Sequence, residues 1–481
     1  MSSPMSEINN DYSTTNDGVV PLTKRRSLYH FTALWVTMAA GFTYLFLGFQ
    51  FHDAGWSLGR SIGAGALGAV CYLAYALPAA YLGSSTGQTH ALLTRSIFGK
   101  LGSGLMSVVL ILVAAGWTAF AFNLLANLYD GLFGWGHIVA ITVVLALIGI
   151  VNNVFGFTGI TAFARYLVAP LMIIWILYLV IKGLTDVPTD VWSANAPTEQ
   201  LPLLAGVSLA IGSVMWGNEP DTWRYGRPKF TWPILPYVIA LFVGLVLFVA
   251  GGWMMGYLSN FSAFDFGPAF RYTVEYSLFG ALWLGAILAT VLQVAINDGN
   301  YYEMINAGQN LAGHARGWRR WHTCLIMAAL AAVLAWLFPH LEEDFFTVAG
   351  WSAIALPSAT TVMCVDQFIL PRVAGLRRRV EHIPTWRAAG LANWPAIVSV
   401  LVAMLFGAWG LQLLPGQTSA PDLGLVPVEA WLIAGLLYLG LATLAARTSA
   451  RTELLALAPS HADRPLLADP AEPAVQEGTP A

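Results

Sequence analysis

The chain has 481 residues, of which 57% are hydrophobic and only 10% are charged. Soluble domains carry roughly 25% charged residues, so this composition excludes a soluble globular protein and favours a protein that has lipid as its solvent. The net charge is −3 and the basic residues form only short clusters, which excludes a stripe that follows nucleic-acid phosphates. Cys71, Cys324 and Cys364 lie in apolar runs without metal-ligand spacing, and we expect buried thiols.

Twelve apolar stretches approach or exceed the length of about 20 residues that a membrane-spanning helix needs. We name them segments 1 to 12, and they cover residues 29–50, 56–82, 104–129, 136–154, 163–183, 202–222, 232–258, 278–305, 321–339, 346–370, 391–414 and 427–446. The connections between them are short. We therefore predict an all-α integral membrane protein with one membrane domain over residues 29–446.

Both ends of the chain are polar. Residues 1–28 show no cleavable signal peptide and carry Lys24, Arg25 and Arg26 just before the first apolar run. Residues 447–481 end in a stretch rich in Pro, Ala, Asp and Glu. Such composition cannot bury enough apolar surface to fold. We expect two disordered cytoplasmic tails, at 1–28 and 447–481.

Segment 3 contains a tryptophan in the stretch "AAGWTAFAFN". Gly116 precedes Trp117 and leaves room for another group to approach, and Asn123 follows nearly two turns later. An indole face can stack on a flat heterocycle. The alternative for Trp117 is ordinary packing or lipid contact.

Segment 6 repeats an interruption that is also found in segment 1. Segment 1 reads "TMAAGFTY" around Gly41, and segment 6 reads "AIGSVMWGNEP" with Gly212, Ser213, Gly217 and Pro220. Glycine and proline break helices through chain entropy and lost hydrogen bonds. Segments 1 and 6 begin two successive five-helix halves, and interruptions at corresponding positions indicate a transporter binding site. Taken singly, each could be an ordinary membrane glycine.

Segment 8 carries polar side chains in its middle, in "VLQVAINDGNYYEMINA". An unpaired polar group in hydrocarbon costs a few kcal/mol, so Asn297, Asp298, Asn300 and Glu303 indicate a polar interior or a water-filled cavity. Asn297 and Asn300 share a helical face, which Gln293 extends by one turn. Amide donors and acceptors suit a small planar ligand with amide and amidine edges. The alternative is a structural clamp between helices.

The distribution of Lys and Arg tests this map. With the N-terminus inside, twenty of the 23 basic residues fall on the inner side, and Arg60, Lys182 and Arg271 fall outside. This asymmetry follows the positive-inside rule. It predicts an even number of spans, both termini in the cytoplasm, and a multi-pass protein of the plasma (inner) membrane.

Together these features resemble the first family of nucleobase–cation symporters, which includes cytosine permeases, purine permeases and hydantoin transporters. The resemblance covers about residues 31–446. Its marks are "STGQTHALLTRSIFGKLGS" (85–103), "GW" (116–117), "PDTWRYGR" (220–227), "NDGNYY" (297–302) and "LPSATTVMCVDQFIL" (356–370). Their order and spacing together are specific, although no single mark is diagnostic.

The resemblance implies twelve helices, with a five-plus-five inverted repeat of the amino acid–polyamine–organocation type and two appended helices. It implies a secondary active transporter that imports a nucleobase, cytosine or a purine, by cation symport with alternating access. Hydantoin, allantoin and vitamin-type pyrimidines remain alternatives. The expected partners are a small heterocycle and the lipid bilayer, without nucleic acid; no cofactor is expected beyond the coupling ion, and the oligomeric state stays open.

In this family the substrate lies between segments 1, 3, 6 and 8. The resemblance assigns the stacking Trp to Trp117, the hydrogen-bonding residue to Asn297 or Asn300 with Asn297 favoured, and backbone groups to the broken segment 6. The ring expected on segment 6 falls on Val214, and Trp216 could serve in its place. The expected substrate-binding residues are Trp117, Gly212, Ser213, Trp216, Asn297, Asn300 and Gly41.

The coupling ion is sodium or a proton. Sodium-coupled relatives place hydroxyl residues on segment 8, where this chain has Ala295 and Ile296, so Thr290 and Gln293 are the substitutes. A carboxylate in a low-dielectric site favours its protonated form, so a buried acid could carry a proton instead. The candidate coupling residues are Ala39, Ala40, Thr290, Gln293, Glu219 and Asp298.

Other functional classes fit less well. A membrane sensor built on a transporter fold usually adds a soluble output domain, which the map does not accommodate. An enzyme would need a metal set or a nucleophile–base group. The chain has no HExxH pattern, and its GxSxG matches at 55–59, 59–63 and 83–87 lie in or beside the apolar run of segment 2 rather than at a strand–turn–helix junction. A primary pump would need a phosphate-binding loop, and the sequence shows no such motif. We therefore predict a protein that is not an enzyme and holds no structural metal.

Overall fold

A computed structural model describes residues 19–39, 41–193, 201–217, 219–312, 318–338, 344–378, 380, 383–419, 421 and 423–457. Over these residues the regular structure is helical, apart from one isolated antiparallel bridge between Asn393 and Leu455.

Each of segments 1 to 6 contains a helix or a pair of helices. The helices are Leu28–Met38 and Phe42–Asp53 in segment 1, Leu58–Thr86 in segment 2, His90–Phe133 in segment 3, Ile138–Ile148 and Val151–Val154 in segment 4, Gly156–Asp186 in segment 5, and Leu203–Val214 and Glu219–Trp223 in segment 6. Short 3₁₀ turns lie at Leu22–Lys24 and Thr189–Trp192.

Segments 7 to 12 are also helical. The helices are Ile234–Ser259 in segment 7, Leu282–Ala312 in segment 8, Arg320–Leu337 in segment 9, Phe345–Val373 in segment 10, Trp394–Gly410 in segment 11 and Val426–Ala446 in segment 12. Segments 5, 7 and 10 each contain a π-helical turn, at Ala164–Val168, Phe242–Phe248 and Val365–Ile369. A last short helix is Arg451–Leu454.

Eight helices of the described chain are long and apolar enough to cross a membrane, or nine if the bent pair of segment 1 is one span. Segments 4 and 11 form shorter apolar helices, Ile138–Val154 and Trp394–Gly410. Segment 6 is divided into helices of 12 and 5 residues. Length alone therefore gives fewer spans than the twelve predicted from hydropathy.

The predicted interruptions in segments 1 and 6 are confirmed. The helices of segment 1 meet at a bend of 47°, and Gly41 has φ 138° and ψ −163°, a backbone region that is essentially restricted to glycine. In segment 6 the helix ends at Val214 and resumes at Glu219, and Gly217 between them has φ 76°. Both breaks expose main-chain groups inside the helical bundle.

The structure contains a helix between segments 7 and 8 that the sequence analysis did not predict. Phe266–Ser277 is amphipathic, with buried residues at 266, 269, 270, 273, 274 and 277. This spacing of three and four places one apolar stripe against the protein. Its other face is too polar for a hydropathy search to find. Segment 8 consequently begins at Leu282 rather than at residue 278.

The prediction of disordered tails is corrected at both inner ends. Val20 is fully buried, and its N–H donates to the Gly87 carbonyl over 2.9 Å. Arg26 N–H donates to the Tyr225 carbonyl over 2.8 Å, so residues 19–28 pack on the adjoining loops. Leu455 is buried beside Asn393, which fixes the chain after segment 12. Residues 1–18 and 458–481 lie outside the described chain.

Close helix packing places the two breaks near segments 8 and 10. A Cβ atom at Gly41 would lie 2.7 Å from Ile296 Cδ1 of segment 8. A Cβ at Gly212 would collide with the Ala349 carbonyl of segment 10. Segment 8 also packs along segment 3 for much of its length. Segments 1, 3, 6, 8 and 10 therefore surround one region of the bundle.

Candidate functional site

A small cavity lies where the breaks of segments 1 and 6 face each other. Four of the predicted substrate-binding residues line it, namely Trp117, Ser213, Trp216 and Asn300. Six further residues line it that the sequence reading did not select, namely Met38, Thr43, Tyr44, Ala121, Met215 and Ile296. Most of the six are apolar residues within apolar runs, so only their distance from the two breaks could have indicated them.

The amide side chains of segment 8 form a hydrogen-bonded row. Asn300 Nδ2 donates to Asn297 Oδ1 over 3.0 Å, and Asn297 Nδ2 donates to the Gln293 carbonyl over 3.0 Å. Gln293 Nε2 donates to the Ala121 carbonyl of segment 3 over 2.9 Å, while Gln293 Oε1 is buried without a partner among the described residues. Asn300 thus stands at the cavity wall and Asn297 behind it, whereas the sequence favoured Asn297 as the direct contact.

The two tryptophans at the cavity have different hydrogen bonding. Trp117 Nε1 donates to Ser352 Oγ of segment 10 over 3.0 Å, and Ser352 Oγ donates to the Met215 carbonyl over 2.9 Å. Trp216 Nε1 is buried and has no partner within the described chain. Of the two positions considered for the aromatic ring of segment 6, Trp216 lines the cavity and Val214 is buried away from it.

The broken end of segment 6 is held by contacts to segments 1 and 10. Tyr44 OH donates to the Ser213 carbonyl over 3.0 Å, and Ser213 Oγ donates to the Leu209 carbonyl of its own helix over 2.8 Å. Gly212 does not line the cavity, because its close contact is with the Ala349 backbone. The glycine at 212 therefore permits packing of segment 6 on segment 10.

The candidate sodium ligands do not all converge. Ala39 is the last described residue before the break, and Ala40 lies outside the described residues. Gln293 Oε1 would lie 3.9 Å from a Cβ at Gly41, which puts this unpaired oxygen next to the break. Thr290 Oγ1 instead donates to the Ala286 carbonyl over 2.6 Å and is hydrogen-bonded to Tyr129 OH of segment 3.

The two candidate acids are deeply buried and differ in their partners. Glu219 accepts hydrogen bonds from Tyr72 OH over 3.0 Å and from Tyr75 OH over 2.8 Å, both on segment 2. Asp298 accepts from Asn152 Nδ2 over 3.0 Å and from Asn153 Nδ2 over 3.3 Å. Within the described chain neither acid forms a salt bridge with Lys or Arg. Their carboxylates are thus solvated by neutral donors rather than by cations.

Comparison with solved structures supports the fold. The chain is similar to Mhp1, a nucleobase–cation–symport-1 family transporter, in a closed conformation with bromovinylhydantoin bound; the TM-score is 0.70 at 16% identity, over 91% of this chain and 96% of Mhp1. It is also similar to the inward-facing conformation of Mhp1, with a TM-score of 0.64 at 16% identity, over 86% of this chain and 90% of Mhp1.

Comparison of sequences identifies the family. The chain is 26% identical to the cytosine permease of Escherichia coli strain K12 over 416 residues, which is 82% of this chain and 89% of the permease. The family model described as a permease for cytosine/purines, uracil, thiamine and allantoin matches residues 20–434. The chain therefore belongs to this permease family, as a multi-pass membrane protein.

Proposed function

We propose that the protein is a secondary active transporter that imports cytosine, a purine or a related flat N-heterocycle by cation symport. The observation that carries this proposal is the cavity at the paired helix breaks, whose walls hold two tryptophans and the amide of Asn300. Aromatic faces suit a planar ring, and an amide suits its hydrogen-bonding edge. The family match and the cytosine permease relatives support the same substrate class.

The proposed topology has twelve spans, a five-plus-five inverted repeat over segments 1 to 10, and both termini in the cytoplasm of the plasma membrane. The breaks in segments 1 and 6 support the repeat, since they stand at corresponding positions of the two halves. The excess of basic residues in the inner connections supports the orientation. Segments 4, 6 and 11 are short or divided, and the proposed topology counts each of them as one span.

In the proposed binding mode the substrate ring lies against Trp117 and Trp216. Base–aromatic stacking contributes about 1–3 kcal/mol per base in other settings. Asn300 then reads the polar edge, and Asn297 holds the Asn300 amide in a fixed orientation through their 3.0 Å hydrogen bond. Hydantoin, allantoin or a vitamin-type pyrimidine would fill the same slot, and competition among compounds distinguishes them.

For the coupling ion two routes are proposed. The sodium route uses Gln293 Oε1 with main-chain carbonyls at Ala39 and Ala40. A hard cation needs several oxygen ligands, and the Thr290 hydroxyl already serves Tyr129 and Ala286, so this ligand set is thin. The observation that supports this route is the unpaired Gln293 oxygen beside Gly41.

The proton route uses Glu219 or Asp298. A buried carboxylate that lacks a cation is stabilised by protonation, and Glu219 is bonded to both segment 2 and the break of segment 6 through Tyr72, Tyr75 and the Gly217 N–H. Gain or loss of a proton there would change how segment 6 is held on segment 2. Of the two candidate acids, Glu219 is the one bonded to a helix break.

The experiment that tests the proposed function is uptake of a labelled heterocycle panel by cells that express the protein. The panel contains cytosine, adenine, guanine, uracil, hydantoin and allantoin. We expect saturable uptake of one nucleobase, competed by its unlabelled form and absent from cells with empty vector. Uptake that is no faster than the vector control for every compound contradicts the proposal and favours a non-transporting sensor.

A further inference from the structure

One buried hydroxyl on segment 10 links the two aromatic walls of the cavity. Ser352 is 1% exposed. Its Oγ accepts from Trp117 Nε1 over 3.0 Å and donates to the Met215 carbonyl over 2.9 Å. Met215 directly precedes Trp216 in the chain. A serine hydroxyl can donate one hydrogen bond and accept others. The Ser352 hydroxyl does both, and it thereby connects segment 10 to segments 3 and 6.

The two partners of Ser352 each need such a bond. The last carbonyls of a helix lack intrahelical partners, and the first helix of segment 6 ends at Val214, with Met215 in extended conformation at φ −85° and ψ 114°. The partly buried indole N–H of Trp117 likewise needs an acceptor. Without Ser352, a donor and an acceptor would be left unsatisfied at the cavity, which is costly in a low-dielectric interior.

The other contacts of segment 10 with the Trp117 wall are apolar and less directional, whereas Thr360 Oγ1 of segment 10 donates a second hydrogen bond to the segment 6 break, at the Gly217 carbonyl. Phe345 packs edge-on against Trp117 with ring centroids 6.2 Å apart. Ala349 meets the backbone at Gly212. Such contacts hold the segments together but do not fix the angle of the indole ring. The hydrogen bond from Trp117 Nε1 to Ser352 does constrain that angle, and Ser352 and Thr360 hold the main chain on the two sides of Trp216.

We propose that Ser352 is a positioning residue for the substrate slot: it sets the orientation of the Trp117 ring relative to the main chain that carries Trp216. This inference rests on the proposed function, because it assumes that a planar substrate lies against both rings. It also separates the two indoles. Trp117 donates its N–H to Ser352, so only its ring face contacts the substrate in this proposal. Trp216 Nε1 has no partner in the described chain and can donate to a ligand.

The transport test compares Ser352→Ala with Ser352→Thr. We expect Ser352→Ala to raise the KM for labelled cytosine roughly tenfold, as loss of a buried hydrogen bond does, with a smaller change in Vmax per folded transporter. Ser352→Thr keeps the hydroxyl and should restore most of the affinity. The matched control is Ser358→Ala on the same segment, since the one hydrogen bond of buried Ser358 among the described residues goes to the Ile354 carbonyl of its own helix.

A double substitution shows whether the effect passes through the indole. Trp117→Phe removes the N–H and keeps an aromatic face. In that background Ser352→Ala should raise the KM by a smaller factor than in the parent protein, because one of the two bonds is already lost. An equal factor in both backgrounds overturns the proposal, since it shows that Ser352 acts without Trp117. Should Ser352→Ala fail to reach the membrane, Ser352→Cys replaces it, with nearly the same volume and a weaker donor.

A readout without substrate separates this inference from the proposed function. In protein labelled with ¹⁵N at the tryptophan indoles, the Trp117 resonance is identified by its loss in Trp117→Phe. We expect it to shift in Ser352→Ala and to stay in place in Ser358→Ala. An unmoved Trp117 resonance overturns the positioning role even if cytosine is transported. A shifted resonance in a protein that transports no heterocycle supports the hydrogen bond and contradicts the proposed function instead.

Discussion

At the scale of single residues, the cavity combines aromatic faces with one amide edge. Asn300 was selected because a polar side chain in hydrocarbon is costly, and Trp117 because the family resemblance assigns a stacking tryptophan to segment 3; the structure brings both to one cavity. Met38 and Ile296 also line it, but apolar residues in an apolar helix carry no signal of their own. Asn297 and Asn300 share a helical face, so the sequence could not show which of them lies at the cavity wall. Only the side-chain positions show that it is Asn300.

Replacement of Trp117 tests the stacking. Trp117→Ala should lower substrate affinity by roughly 5- to 150-fold, because base–aromatic stacking contributes about 1–3 kcal/mol. The measurement is the concentration dependence of labelled nucleobase uptake, normalised to the amount of protein in the membrane. Trp336→Ala is the control, since Trp336 is 64% exposed on segment 9. Parent-like affinity in Trp117→Ala would remove Trp117 from the site.

Replacement of the two asparagines separates direct from indirect contact. Asn300→Ala should weaken binding more than Asn297→Ala, because Asn300 lies at the wall and Asn297 only orients it. Sites that read polar edges discriminate strongly when one partner is lost. The measurement is the KM of each variant for the transported base and for an analogue that lacks one polar edge group. A larger loss in Asn297→Ala would reverse the two roles, and unchanged affinity in both would make the amide row structural.

At the scale of helices, the sequence predicted the breaks because Gly41 and Gly217 interrupt apolar runs at corresponding positions. Both adopt positive φ, which explains why glycine stands there. The amphipathic helix Phe266–Ser277 escaped prediction because only one of its faces is apolar. The ordered structure of residues 19–28 could not be predicted either, because Arg25 and Arg26 donate hydrogen bonds to carbonyls of a loop that is distant in sequence.

Substitution of Gly41 tests the break in segment 1. Gly41→Ala should strongly reduce transport, because φ 138° is unfavourable for a side chain and the new Cβ would lie 2.7 Å from Ile296 Cδ1. Ile296→Val in addition should relieve the contact but not the backbone strain, so recovery should be partial. Gly63→Ala is the control, as a Cβ there meets nothing within 4 Å. Transport and membrane abundance of the three variants and the parent protein are compared, and a fully active Gly41→Ala would show that the break tolerates a side chain.

At the scale of the whole molecule, the family match over residues 20–434 and the similarity to Mhp1 agree with the all-helical, multi-pass membrane protein expected from composition and hydropathy. What the sequence left open is how the cation is coupled. Residue type alone made Thr290 a sodium ligand candidate, and only the structure shows its hydroxyl bonded to Tyr129. In the same way, sequence could not show that the partners of Glu219 are two tyrosines rather than a basic residue.

The coupling routes make opposite forecasts for Glu219→Gln. If a proton is coupled through Glu219, uptake persists in choline, rises as the external pH falls and collapses with a protonophore, and Glu219→Gln loses accumulation while it keeps substrate binding. If sodium is coupled, choline abolishes accumulation, Gln293→Ala raises the sodium requirement, and Glu219→Gln keeps its sodium dependence.

Asp298→Asn tests the second acid in the same assay, with Glu275→Gln as a control because Glu275 is exposed and paired with Arg271.

The most direct test of the central claim is accumulation of labelled nucleobase in proteoliposomes that contain the purified protein and an imposed cation gradient. The account predicts that the base preferred in cells rises above its external concentration under an inward sodium or proton gradient, returns to equilibrium when the gradient is dissipated, and fails to accumulate with Trp117→Ala. Uptake that only equilibrates under both gradients, or that is unaffected by Trp117→Ala, would contradict cation symport through this slot.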